Sequence, residues 1–157
     1  MKDSVVKLSN LIKKNRVKNI IFLNYAPELE KFLFWCQQLI AESLGKKNKG
    51  FMPVISNVPK DHHSLLQLYL DGPKDKLFYI FYINSSTPRR IQSINEIKDI
   101  AYLSKKKISE IKYAQKNALI KTLKNKNLPF REFNITSINE SIMGELFSYF
   151  ILETVLI

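Results

Sequence analysis

Two short segments hold the side chains best suited to chemistry. In the first, Gln38 and Glu42 stand four residues apart, one helical turn, next to Trp35. Such a pair reads most simply as solvent-facing. The alternative is a carboxylate acting as a base in a pocket partly walled by an aromatic ring. The second segment holds His62 and His63, the two histidines of the chain, and runs on to Asp71-Gly72-Pro73. In the first turn of a helix, the positive helix end disfavours imidazolium and leaves a neutral ring able to give and take a proton. Adjacent helix residues point about 100° apart and no third ligand is near, so metal binding is not expected. On pattern alone a surface histidine pair is the simpler reading.

The elements that must carry these residues are legible from periodicity. Residues 4–14 place Val5, Leu8, Leu11 and Ile12 at helical spacing. Residues 19–24 are a short apolar burst, the pattern of a buried parallel strand. Pro27 opens a helix that Gly45 should end, with Leu29, Leu33, Cys36 and Ile40 as its buried stripe. A strand over 51–55 and a helix over 61–70 follow, the latter closed by Gly72-Pro73. Residues 77–83, Leu-Phe-Tyr-Ile-Phe-Tyr-Ile, make the strongest strand and must lie centrally in a sheet. Residues 84–90 are loop chemistry. A helix over 107–124 places Ile108, Ile111, Ala114 and Ala118 on one face, and 130–135 is a strand. Ser137 and Glu140 form a capping box for a final helix. Strands alternating with helices predict an α/β domain, a three-layer α/β/α sandwich with a mostly parallel sheet of four or five strands.

Composition narrows the function classes. A chain of 157 residues, 45% hydrophobic, can bury roughly 70% of its unfolded surface as one domain. No run reaches the ~18 apolar residues of a membrane span, and the N-terminus lacks a signal-peptide core, so no membrane partner is expected. One cysteine, Cys36, excludes an internal disulfide or a cysteine-based zinc site and suits the cytoplasm. The net charge of +11 invites a nucleic-acid reading. However, only Arg16, Arg89, Arg90 and Arg131 are arginine, and the lysines are spread along the chain alongside many Asn and Ile. A solvated basic surface with no specific nucleic-acid partner is therefore expected, a basic nucleic-acid binder being the minority reading.

Taken together, the two segments resemble the glucose-6-phosphate isomerase family. Its C-terminal sugar isomerase (SIS) domain carries W-x-x-Q-L-x-A-E-S-x-G-K and then D-Q-H-S-x-x-Q-x-x-x-D-G-P. Trp35, Gln38, Leu39, Ala41, Glu42, Ser43, Gly45 and Lys46 match the first run, and Asp61, His63, Ser64, Gln67, Asp71, Gly72 and Pro73 the second. The likeness continues through Tyr102-Leu103 and Ser141 to Leu146, and Glu153-Thr154 resembles the family's last conserved helix.

The resemblance implies an SIS-like fold and interconversion of glucose 6-phosphate and fructose 6-phosphate, a step of glycolysis and gluconeogenesis, through a cis-enediol. By it, Glu42 would take the proton from C2 and return it at C1, and Gln38 would line the sugar site. His63 would assist ring opening from across a homodimer interface. A sugar phosphate is the implied partner, the cytoplasm the implied compartment, and neither metal nor organic cofactor is needed.

Departures from the family pattern qualify this picture. His62 replaces the usual Gln, and Val58 and Lys105 stand where the family tends to have Gly, so altered loop geometry is expected. The family's Ser/Thr-rich phosphate cradle, its G-G-R-Y-S arginine segment and its lysine-bearing N-P-F-D-Q-P-x-V-E-x-x-K tail do not occur here. Residues 1–157 are therefore expected to be a single SIS-like domain of a longer isomerase, inactive alone. The competing reading is a non-catalytic sugar-phosphate binding or interaction module on the same fold.

Overall fold

A computed structural model describes residues 2–13, 17–84, 90–91 and 98–157. In chain order the elements are α1 (Lys2–Lys13), β1 (Asn19–Asn24), α2 (Glu30–Leu44), β2 (Met52–Asn57), α3 (Lys60–Asp71), β3 (Lys76–Ile83), α4 (Ile108–Asn125), β4 (Phe130–Ile135) and α5 (Glu140–Leu156). Short 3₁₀ segments precede α2 (Pro27–Leu29) and α4 (Lys98–Leu103). Of the loop expected over 84–90, residues 85–89 lie outside the described residues. No helix among the described residues is long and apolar enough to cross a membrane.

The four strands pair in parallel in the order β2-β1-β3-β4. Parallel pairing forces crossovers, and helices cover both faces. Alternation along β3 sends Leu77, Tyr79 and Phe81 to one face, where α1, α2 and α5 pack. Phe78, Ile80 and Tyr82 go to the other, under α3 and α4. All six are buried, so the expected central strand is central. On the first face Phe22 meets Tyr79, Phe81 and Phe150 edge-on at 5.7, 6.0 and 6.4 Å. Each such fully buried ring contributes about 1.5–3 kcal/mol relative to exposure.

The stripe expected on α2 is found: Leu29, Leu33, Cys36 and Ile40 are all buried. Gly45 ends that helix through its N–H to the Ala41 carbonyl, where an added Cβ would stand 2.4 Å from the Ala41 oxygen. Two expectations need correction. On α4 the buried residues are Lys116, Leu119, Ile120 and Leu123, while Ile108, Ala114 and Ala118 are exposed. Leucines and isoleucines three and four apart bury more apolar area than the alanine stripe, and they won the sheet-facing side. At α5 the capping residue is Asn139, whose Oδ1 accepts the Ile142 N–H at 2.9 Å. Ser137 lies outside the helix, and its Oγ accepts from Asn139 Nδ2 at 3.2 Å.

Candidate functional site

Gln38 and Glu42 ride the last turns of α2, both exposed, and Gln38 Nε2 donates to Glu42 Oε1 at 2.9 Å. The amide holds the carboxylate in place while leaving its second oxygen available. Trp35, half-buried, stacks on Phe32 at 5.8 Å and meets Phe147 edge-on at 4.5 Å. It is thus an anchor between α2 and α5 more than a pocket wall. Gln37 turns the other way and donates to the Pro53 carbonyl at 2.9 Å, fixing α2 against the start of β2.

The two histidines of α3 divide their roles. His63 is exposed, and His62 is half-buried with its Nε2 3.3 Å from the Tyr25 hydroxyl and its ring edge-on to Tyr25 at 5.8 Å. Burial lowers the pKa of His62, against a smaller opposing pull from Asp61, which favours the neutral ring. Burial likewise raises the Tyr25 phenol. Asp61 accepts the Asn57 N–H at 2.8 Å. Asn57 links Asn24 at 3.2 Å and Glu30 at 3.1 Å, which ties the carboxyl ends of β1 and β2 to the start of α2. Of this polar group, sequence reading singles out only the histidines and Asp61. Asn24 and Asn57 share one signal, an amide closing each of two apolar strands.

The structure does not bring Glu42 and His63 together within one chain. From the carboxyl end of β1, α2 runs back to the amino end of the sheet, so Glu42 lies near the start of β2. α3 begins three residues beyond the last residue of β2, at the carboxyl end. The six residues of β2 alone space these ends by about 20 Å. The helices also cover opposite faces, α2 the layer with Phe22 and Phe81, α3 the layer with Ile21 and Phe78.

Beneath α2 and α5 lies a buried ionic group that sequence reading missed. Arg131 pairs with Glu153 and donates to the Tyr79 hydroxyl at 3.1 Å, while Tyr79 donates to Glu153 at 3.0 Å. Glu153 is 3% exposed. Burial lowers the Arg131 pKa, but the electrostatic pull of the Tyr79 hydroxyl and of the Glu153 carboxylate, with the Glu153 hydrogen bond, outweighs it and the net shift is upward. An acidic residue within the apolar run of α5 was the available signal.

Lys105, at a usual Gly position of the resembled family, has φ 62°. A lysine here adopts the left-handed conformation that glycine takes at no steric cost.

Fold and helices together define a doubly wound parallel α/β domain that displays a carboxylate at one end and an imidazole at the other. No family model matches the chain. By sequence, the chain is similar to part of several glucose-6-phosphate isomerases. It is 38% identical to the enzyme of Methanocaldococcus jannaschii over 130 residues, 80% of this chain and 31% of that protein. It is 33% identical to the probable enzyme of Methanococcus maripaludis over 141 residues, 89% of this chain and 32% of that one. A third relative, from Rubrobacter xylanophilus, is 31% identical over 143 residues, 88% of this chain and 33% of the relative. The chain thus spans about a third of the length of the curated relatives it matches. In fold, it superposes with TM-score 0.83 on a hypothetical protein of Thermus thermophilus, at 23% identity, covering 97% of this chain and 38% of that one.

Proposed function

We propose that this chain is the SIS-like domain, over 1–157, of a cytoplasmic glucose-6-phosphate isomerase and supplies its proton-transfer residues. Glu42 takes the C2 proton of the opened aldose while the C1 oxygen gains a proton, leaving a cis-enediol; as the C2 oxygen gives up its proton, Glu42 returns its own to C1 to give the ketose. Gln38 lines the sugar site and steadies the carboxylate. His63 moves a proton between the ring oxygen and the C1 hydroxyl as the ring opens. A base that both accepts and returns a proton, and an imidazole working in either direction, are the types this chemistry needs.

One observation carries the reading: the two matched motifs sit at opposite ends and on opposite faces of the same domain. A single copy leaves each half-site incomplete. A homodimer related by a two-fold axis supplies Glu42 from one copy and His63 from the other, twice over. The test fuses the chain to the portion of the Methanocaldococcus jannaschii protein that it does not span. Turnover of glucose 6-phosphate should appear, and Glu42→Gln should stop exchange of the C2 hydrogen with deuterated solvent. Exchange that survives Glu42→Gln would refute the assignment of the base.

A further inference from the structure

The floor of a separate cleft, at the carboxyl ends of β3 and β4 beside α4, is Lys116, only 3% exposed. Its ammonium pairs with Glu132, donates to Asn134 Oδ1 at 3.4 Å, and stands 5.0 Å over the rings of both Tyr82 and Tyr113. A charge buried this far is costly unless fully compensated, and here a carboxylate and two ring faces compensate it. The cleft measures about 890 Å³, within the usual range of small-molecule sites, and the isomerase reading uses none of its residues.

Its chemistry is selective. Lys107 and Lys116 are balanced by Glu110 and Glu132, so the cleft offers no net charge to an anion or a cation. Tyr82 and Tyr113 are tilted by 52° at 5.8 Å, so they form no parallel slot for a flat base. Tyr113 is 51% exposed and lines the cleft, so part of its ring is open to a ligand. Amides come from three elements: Asn84 after β3, Asn117 on α4 and Asn134 on β4. Each amide offers both donors and an acceptor, the complement of neighbouring hydroxyls on a puckered ring. We propose that this cleft binds a neutral polyhydroxylated ring, an unphosphorylated hexose, with one apolar face of the sugar against Tyr113 and its hydroxyls on the amides.

Titrating D-glucose into the full isotope-labelled chain tests this by nuclear magnetic resonance. Saturable shifts are expected at Asn84, Tyr113, Asn117 and Asn134, with a Kd of about millimolar, as befits a small neutral ligand. Tyr113→Ala and Asn117→Ala alter exposed positions, and each should weaken binding at least tenfold. Glu42→Gln should leave binding here unchanged, which separates this site from the isomerase reading. Absence of saturable shifts at these residues would overturn the proposal. So would a tenfold preference here for glucose 6-phosphate or adenosine, or unaltered affinity in both cleft variants.

Discussion

Glu42, on the last turn of α2, and His63, on the first turn of α3, occupy opposite ends of the sheet and opposite faces of it. This follows from topology. A right-handed crossover returns α2 to the amino end of the sheet before β2 begins, and α3 starts where β2 stops. Moving either residue to the other would require unwinding the layer that positions it. The separation is what makes the two-copy site a physical requirement of the proposed chemistry.

The isolated chain should not isomerise glucose 6-phosphate at a useful rate. Much of the binding energy for such a substrate comes from its phosphate, which sets C2 against the base. Nothing recognisable in this sequence cradles the dianion. A coupled assay should find turnover several orders of magnitude below that of the fused full-length protein. Comparable turnover from the bare chain would mean that its lysines assemble a phosphate site.

The buried ion pair gives a stability test. Arg131→Met leaves Glu153 charged and nearly enclosed, and denaturant unfolding should show a loss of about 3–5 kcal/mol. Removing both charges, as Arg131→Met with Glu153→Leu, should recover most of it. Tyr79→Phe, which deletes a single hydroxyl from the group, should cost about 1–3 kcal/mol.

His62 predicts a pH dependence. Its folded pKa lies below the ordinary 6.5 because burial disfavours the imidazolium. Between the folded and unfolded values the unfolded chain binds more protons, so stability is full above 6.5 and falls as pH drops toward the folded value. Unfolding midpoints of the chain and of His62→Gln, compared across this window, should differ in slope, with the variant flatter. Identical slopes would remove His62 as the cause.

Lys105→Gly should stabilise the chain. The left-handed backbone at this position costs a residue with a side chain about 1–2 kcal/mol, which glycine avoids. The gain in thermal midpoint will be smaller than that cost implies, because glycine also frees the unfolded chain.

The basic surface should bind nucleic acid only weakly. Titration with duplex or single-stranded DNA should show sequence-independent affinity that falls steeply with added salt, as counterion release requires. Discrimination between sequences would contradict the reading of the +11 charge as solvated surface.

Local patterns carried most of the fold. The seven apolar residues ending at Ile83 had to be a central strand, and the Leu29–Leu33–Cys36–Ile40 spacing had to face the sheet. The α4 face was misjudged because alanine and β-branched positions mark a stripe weakly, and the larger Leu119, Ile120 and Leu123 decided the packing. Asn139 caps α5 in place of Ser137 because the helix starts two residues later than the Ser137–Glu140 spacing implies. Contacts between distant segments left no periodic trace: Tyr25 with His62, Arg131 with Glu153, Lys116 beneath Tyr82 and Tyr113. Which of two adjacent histidines turns inward is likewise set by what packs on α3, and sequence spacing is blind to it.

Mixing two inactive variants of the fused protein tests the central claim most directly. Glu42→Gln and His63→Ala are each prepared alone, then dissociated and reassociated together, and assayed on closed-ring glucose 6-phosphate. If every site joins Glu42 of one copy to His63 of another, random reassociation should give about one quarter of the unmutated activity, since half the dimers gain one intact site. Failure of the mixture to exceed the two parents, with mixed dimers demonstrated, would place both residues in one chain's site and contradict the account.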